Sequence, residues 1–363
     1  MKIAAIVAAA TVGDGIFALP YVFYHSGWLV CLFYLVALGA VVVMAHTVYL
    51  KTLEKVGEKE RLLGLSKLYL GDGGFWVGFL AIVVGLLLTL VAYLILGMQF
   101  IKLAFPAVPP LDAFLVFWIF LSIPVFIADK YVVDLELLGI VCTSAIILLI
   151  FGTAWPHVVF SGIPAIGTGN LFLPFGAILF SLAGWTSIEP AYESRKRSGF
   201  RGQAWKALAL GTGFAAVLYA MFAAGILGSA SIISPDTASG LTSWPFWKRE
   251  LLALMGLVAV ATVYLPISRE IKNSLERDLG WRGIYARLII VFLPPLFILL
   301  GLNNFLLVVG LVGGLFLSLQ YILIISVGRR ALSLSHAAKF VLDLAVAAFV
   351  IASAYQIYTF IVR

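Results

Sequence analysis

Charge is what this sequence has least of. Asp, Glu, Lys and Arg make up 11% of its 363 residues, against 63% hydrophobic residues and a mean hydropathy of +1.10. A soluble domain carries about a quarter of its residues charged, so this composition excludes one and implies a polytopic membrane protein. Cysteine is nearly absent: Cys31 and Cys142 both fall within apolar runs, which rules out a disulfide framework and leaves the redox compartment undetermined. The four histidines, His25, His46, His157 and His336, are expected near the ends of apolar runs and have no ligand spacing, so no metal site is expected. A phosphate-binding G-x-x-x-x-G-K-[ST] loop is missing, which excludes a pump driven by its own ATPase site. The formal charge of +7 could suggest nucleic acid, but the basic residues sit in short segments between apolar runs, the pattern that membrane orientation produces. No nucleic-acid partner and no cofactor are expected.

What the sequence does have is long apolar runs, at roughly 3–24, 27–50, 75–103, 112–128, 132–151, 171–193, 204–228, 248–268, 281–301, 303–328 and 339–361. A bilayer crossing needs about 20 such residues. The runs therefore predict an all-α membrane protein of eleven helices, since a barrel would show shorter, alternating strands. Pro124 and the pair Pro294-Pro295 are expected to kink their helices without ending them. Lys2 and the Ala-rich run behind it imitate a signal peptide, but the apolar run continues into F-A-L-P-Y-V-F-Y, so no cleavage is expected. With a cytoplasmic N-terminus, 20 of the 24 Lys and Arg fall on the inner side; only Lys102, Lys248, Arg249 and Arg363 fall outside. The positive-inside rule selects that orientation, with the C-terminus extracytoplasmic. The short loops and compact chain suggest a prokaryotic inner or plasma membrane.

One stretch does not fit a plain membrane anchor. Within the first run, Thr11 to Pro20 reads T-V-G-D-G-I-F-A-L-P, two glycines flanking a carboxylate at the centre of a span. Inside hydrocarbon every backbone group needs an internal partner, so such a break is tolerable only where it is buried in protein or lines a wet cavity. A second polar, glycine-containing centre occurs in the sixth run, from Ser181 to Ser187, where Gly184 and Pro190 echo Gly13 and Pro20. Five runs separate the two, an odd number, so they cross in opposite senses. The expected organisation is a single transporter domain over 1–363: a first inverted repeat over 1–151, a second over 171–328, and an added helix at 339–361.

The string G-D-G-I-F-A-L-P-Y-V-F-Y-H-S-G-W (Gly13 to Trp28) resembles the first helix of the amino acid/auxin permease family, with its G-x-G-[IL]-x-x-L-P-Y-x-F-x-x-x-G-W pattern. The run from Phe175 to Lys196 is similar to that family's sixth helix. The loop Leu65 to Gly74, Tyr93 and the P-I-S-R of Pro266 to Arg269 fit as well. The Ala-Gly-Trp of 183–185 is also similar to the wider amino acid, polyamine and organocation transporters. The resemblance implies a leucine-transporter-like fold and secondary active symport of amino acids with protons or sodium by alternating access. Gly13, Asp14 and Gly15 would form one wall of the substrate site, and Phe180, Ser181, Ala183, Gly184 and Trp185 the facing wall. By the same resemblance Tyr93 would direct its hydroxyl toward the substrate carboxylate and Trp185 would close over the side chain.

Asp14 departs from the family pattern, which has a small residue between the glycines. A mid-membrane carboxylate costs at least about 2.5 kcal/mol, so three roles are expected for it: proton carrier, partner of a substrate ammonium, or cap on backbone amides freed at the break. Sodium coupling remains the alternative, with Thr262 as the hydroxyl ligand in the eighth run, and so do an exchanger and a substrate sensor of the same fold. Glu189 and Glu193 are expected as an interfacial pair beside Arg195, Lys196 and Arg197, or else as an inner gate. Asp134 and Glu136 beside Lys130 suit a solvated first turn, and Asp343 is expected to wet at the interface. An intramembrane aspartyl protease would need a second deep Asp in a Tyr-Asp context. The sequence has none, so no enzyme is expected.

Overall fold

In the computed structural model of the chain, the structure describes residues 2–57, 60–127, 132–154, 164–167, 171–198 and 202–362, with the side chains of 127 and 132–137 outside that description. Lys130 and His157, and the side chains of Asp134 and Glu136, lie outside the described residues. Among the described residues all regular structure is helical: α1 (Lys2–Thr11), α2 (Leu19–Ser26), α3 (Trp28–Val56), α4 (Leu62–Phe79), α5 (Gly85–Ala104), α6 (Pro110–Ile127), α7 (Val132–Ala154), α8 (Leu173–Leu182), α9 (Ile188–Ser198), α10 (Ala204–Leu227), α11 (Phe246–Asn273), α12 (Gly283–Leu299), α13 (Phe305–Leu311), α14 (Ser318–Ala331) and α15 (His336–Val362). Among the described residues six helical spans are long and apolar enough to cross a membrane, and the bent pair Lys2–Thr11 with Asp14–Ser26 makes a seventh if taken as one span; shorter apolar helices accompany them. The chain is an integral membrane protein.

The helices break where the backbone is least able to continue. α1 stops at Thr11, Gly13 is extended (φ −132°, ψ −156°), and a 3-10 turn over Asp14–Ala18 leads into α2. The two halves are bent by 46°. α8 ends at Leu182, and Ala183 and Gly184 leave the helix before a short 3-10 turn over Trp185–Ser187 leads into α9. Pro124, Pro294 and Pro295 sit inside continuous helices, α6 and α12.

Two sequence expectations are corrected. The loop at 65–74 is helical: α4 begins at Leu62, burying Leu62, Leu63 and Leu65, and Gly71 (φ 77°) takes the kink that a side chain would resist. His46 is not near a span end. It is fully buried in α3, its Nε2 3.1 Å from the Tyr321 hydroxyl of α14.

α5 is the central post, buried almost continuously from Gly85 to Gly97. A wider π-type turn over Leu80–Val84 joins it to α4. Such turns free a carbonyl, and Gln320 of α14 takes one, donating from Nε2 to the Ala81 carbonyl at 2.7 Å.

Candidate functional site

The two breaks meet face to face. A Cβ on Gly15 would lie 2.7 Å from Ser181 Cα and 3.0 Å from Phe180 Cδ1, and one on Gly184 would lie 2.5 Å from Thr11 Oγ1. Only glycine allows backbone from one break to approach the other this closely. Gly13, Asp14 and Gly15 are therefore brought against Phe180 and Ser181, and Gly184 against the end of α1.

Asp14 is 2% exposed. Its carboxylate lies close to the Tyr93 hydroxyl and to the backbone of residues 14 and 15. Oδ2 has no hydrogen-bond partner among the described residues, and no described salt bridge reaches it. Around the carboxylate stand aromatic rings: Tyr93 meets Phe180 edge-on with centroids 6.4 Å apart and lies 6.4 Å from Tyr264, whose buried hydroxyl is also unpartnered among the described residues. Val263 of α11 closes against Gly13, 3.1 Å from where its Cβ would stand.

The carbonyls freed at the ends of the half-helices are not open. Tyr219 of α10, fully buried, places its one hydroxyl hydrogen between the Thr11 and Ser181 carbonyls, 2.7 Å from the latter. One side chain thus ties the ends of α1 and α8 together. At the second break Tyr321 lies beside the Gly184 backbone and contacts His46, its hydroxyl 3.1 Å from Nε2. Trp185 donates from Nε1 to Gln320 Oε1 at 2.5 Å and packs on Tyr49 at 6.4 Å. Its indole is thereby fixed on the α3 and α14 side of the break, while Ala183 remains partly buried beside it.

Both ends of this centre are covered. On the side of α2, the connection between α10 and α11 folds inward: Thr237 is buried at a left-handed φ of 60° and donates to the Phe17 carbonyl. Phe17 in turn packs against Phe100 at 4.6 Å and Phe222 at 5.5 Å. On the side of α9, Arg61 reaches between two buried carboxylates, with Nη1 2.8 Å from Glu270 Oε2 and 3.1 Å from Glu189 Oε2, and Tyr49 donates to Glu189 Oε1 at 2.7 Å. Burial works against the Arg61 guanidinium, but Glu270 and Glu189 outweigh it and hold its pKa above the usual value. A polar cleft of about 100 Å³, lined by Ala10, Arg61, Ser187, Glu189, Glu270 and Asn273 among others, opens beside this cluster.

Two expected residues are placed differently. Glu189 is not an interfacial partner of the Arg195–Arg197 cluster; its guanidinium comes from Arg61, because α9 turns that face inward toward α3 and α11. Thr262 returns its hydroxyl to the Val258 and Ala259 carbonyls of its own helix, at 2.9 and 3.0 Å, and packs on Gly139 of α7; the neighbouring Val263 is the residue that faces the break. Glu193 does pair with Arg197, one helical turn away on the surface, at 3.3 Å. Asp343, half-exposed, is bound by Arg329.

Sequence reasoning missed Tyr219, Gln320, Tyr49, Arg61 and Glu270. Gln320 carried a usable signal, a lone amide in the apolar run L-S-L-Q-Y-I-L, since intramembrane polar groups are costly. Tyr219 carried none, being one of 14 tyrosines on an apolar helix. Among the described residues no group of three His, Cys, Asp or Glu could hold a metal ion.

No family model matches the chain, and no curated protein sequence matches it. Solved structures do. A manganese transporter of Eremococcus coleocola, crystallised as a point mutant, superposes with a TM-score of 0.69 at 14% identity, over 99% of this chain and 87% of that one. Mhp1, a nucleobase-cation-symport-1 family transporter in a closed conformation with bromovinylhydantoin bound, gives 0.61 at 13% identity over 89% and 76%. The chain shares its fold with these membrane transporters.

Proposed function

We propose that the protein is a secondary active transporter that moves amino-group-bearing solutes, amino acids by the sequence resemblance, through alternating access coupled to protons. The observation that carries this reading is Asp14: a carboxylate almost wholly buried at the meeting point of two broken helices, with one oxygen unpartnered among the described residues. Broken helices facing one another at mid-membrane are how transporters of this architecture build a site. The helical segments correspond to eleven crossings in two inverted halves of five, with α15 added and the N-terminus cytoplasmic. On that orientation the Arg61–Glu189–Glu270 cluster is the inner closure and the Thr237 connection the outer one. The described site does not favour sodium, because Thr262 turns its hydroxyl to its own helix and the Tyr219 hydroxyl stands between the Thr11 and Ser181 carbonyls.

The test is uptake of a panel of radiolabelled amino acids and amines into proteoliposomes under inward proton, outward proton and sodium gradients, for the parent and for Asp14→Asn. Accumulation that a proton gradient drives and Asp14→Asn abolishes supports the assignment, and the effective direction of the gradient distinguishes symport from exchange. Uptake that requires sodium and survives Asp14→Asn overturns it.

A further inference from the structure

We infer that the corner where α3, α4 and α14 meet is a binding site for an anionic phospholipid, whose phosphate sits among Lys51, Lys55, Lys67 and Arg330 and whose acyl chains run along the second half of α4. The inference needs only that the chain lies in a bilayer, and it is independent of which solute the protein moves.

Elsewhere the described cations meet carboxylates: Arg61 pairs with Glu189 and Glu270, Arg195 with Glu54, and Arg197 with Glu193. At this corner they are held differently. Lys55 donates from Nζ to the Ala331 carbonyl at the end of α14, at 2.6 Å, and Arg330 donates from Nη1 to the Tyr69 carbonyl of α4. Backbone carbonyls fix these two side chains without neutralising them. Lys51, one turn before Lys55 on the same face of α3, is exposed. Lys67 is exposed too and reaches across the Gly71 bend, its Nζ 5.4 Å from the centre of the Phe75 ring. Among the described residues no carboxylate forms an ion pair with any of the four: Asp343 binds the neighbouring Arg329, and Asp72, exposed at the bend, pairs with none of them. Donors are left over, because an ammonium has three N–H groups and a guanidinium five.

The surface beside these cations is apolar. Leu68, Trp76, Val77 and Leu80 are between 44% and 63% exposed, and a Cβ at Gly71 or Gly73 would meet nothing within 4 Å, so the bend between rim and strip is open. The helical run from Leu62 to Ala104 has 43 residues. Straight, it would measure about 65 Å against roughly 30 Å of hydrocarbon, so its first turns lie outside the hydrocarbon and the stretch after the bend enters it. A cationic rim above an exposed apolar strip fits an amphiphile of the same build. A phosphate takes charge-assisted hydrogen bonds from the rim, and acyl chains cover the strip. A soluble polyanion would leave the strip bare, and a zwitterionic lipid would leave the net charge of the rim unmatched.

The experiment is native mass spectrometry of the full chain, stripped of lipid in detergent and then supplied with phosphatidylglycerol and phosphatidylcholine of identical acyl chains. The expected result is retention of phosphatidylglycerol over phosphatidylcholine by at least about tenfold, since each cation at an anionic surface contributes about fivefold. In the double variant Lys51→Gln with Lys67→Gln the preference is expected to fall to about twofold or less. Both side chains are exposed and make no described hydrogen bond, so the variant should keep the parent's thermal midpoint, and Lys248→Gln at the start of α11 should keep the parent's lipid preference. Equal retention of the two lipids by the parent, or a preference that survives the double variant, would overturn the inference. Displacement of bound phosphatidylglycerol by an equal concentration of glycerol phosphate would also overturn it, by showing that a free phosphate and not a lipid is the ligand.

Discussion

Asp14 and Glu189 each follow a break in a long apolar helix, and each is almost fully removed from solvent. Glu189 shares the Arg61 guanidinium with Glu270 and accepts from Tyr49. Asp14 has the Tyr93 hydroxyl nearby but no cation among the described residues, and its Oδ2 is unpartnered there. Taking an ion out of water costs several kcal/mol unless a partner offsets it. The cluster at Glu189 is therefore closed on itself, joining the α3–α4 connection to α9 and α11. The centre at Asp14 leaves one buried oxygen unpartnered among the described residues, which a proton or a cation would complete on the proposed function.

The largest expected effect of breaking this contrast is on transport. Asp14→Asn keeps the shape and most hydrogen bonds but removes the charge, so uptake should fall by at least about 100-fold, the magnitude of a lost charge-assisted contact at its upper end. Its thermal unfolding midpoint in detergent should stay level or rise, because an unpaired buried charge has been removed.

Arg61→Ala should do the reverse. It leaves Glu189 and Glu270 buried without their cation, and breaking a buried pair in this way costs about 3–5 kcal/mol. The midpoint should drop well below the parent's, and substituting Glu270→Gln in the Arg61→Ala background should recover part of the loss. A midpoint unchanged in Arg61→Ala would mean that the cluster is solvated and that the contrast with Asp14 is false.

Tyr219→Phe removes the hydroxyl that holds the two breaks together. The Thr11 and Ser181 carbonyls lose the hydroxyl hydrogen they share, a cost of about 1–3 kcal/mol for a buried unsatisfied group. A modest drop in the midpoint should accompany a loss of about tenfold in uptake, together with a rise in sodium stimulation if the freed carbonyls accept the ion. The smallest effect belongs to Thr262→Ala. Its hydroxyl serves its own helix, so uptake should stay within about twofold of the parent and sodium should make no difference to the comparison.

Much of the first break was legible in advance. Gly13 and Gly15 around a carboxylate cannot continue a helix through hydrocarbon without special burial, and the structure does place this stretch against Phe180 and Ser181. The cluster at the other end was not legible. Arg61, Glu189 and Glu270 lie more than 80 residues apart pairwise, and each has closer opposite charges along the chain, such as Glu60 beside Arg61 and Arg269 beside Glu270. Only the packing of α9 and α11 against the α3–α4 connection selects the distant partner over the near one. Thr262 failed for a related reason: on an α-helix one residue's offset turns a side chain by about 100°, and sequence alone does not say whether 262 or 263 faces the break.

The sequence by itself determined that the chain lives in a membrane, that it is helical, and where two of its helices must break, because apolar length and the demand for satisfied backbone act locally along the chain. Only the tertiary structure decided which groups at those breaks find partners. Whether a freed carbonyl stays open depends on which side chain of a distant helix reaches it, and here Tyr219 of α10 reaches those of Thr11 and Ser181 while a buried oxygen of Asp14 has no partner among the described residues.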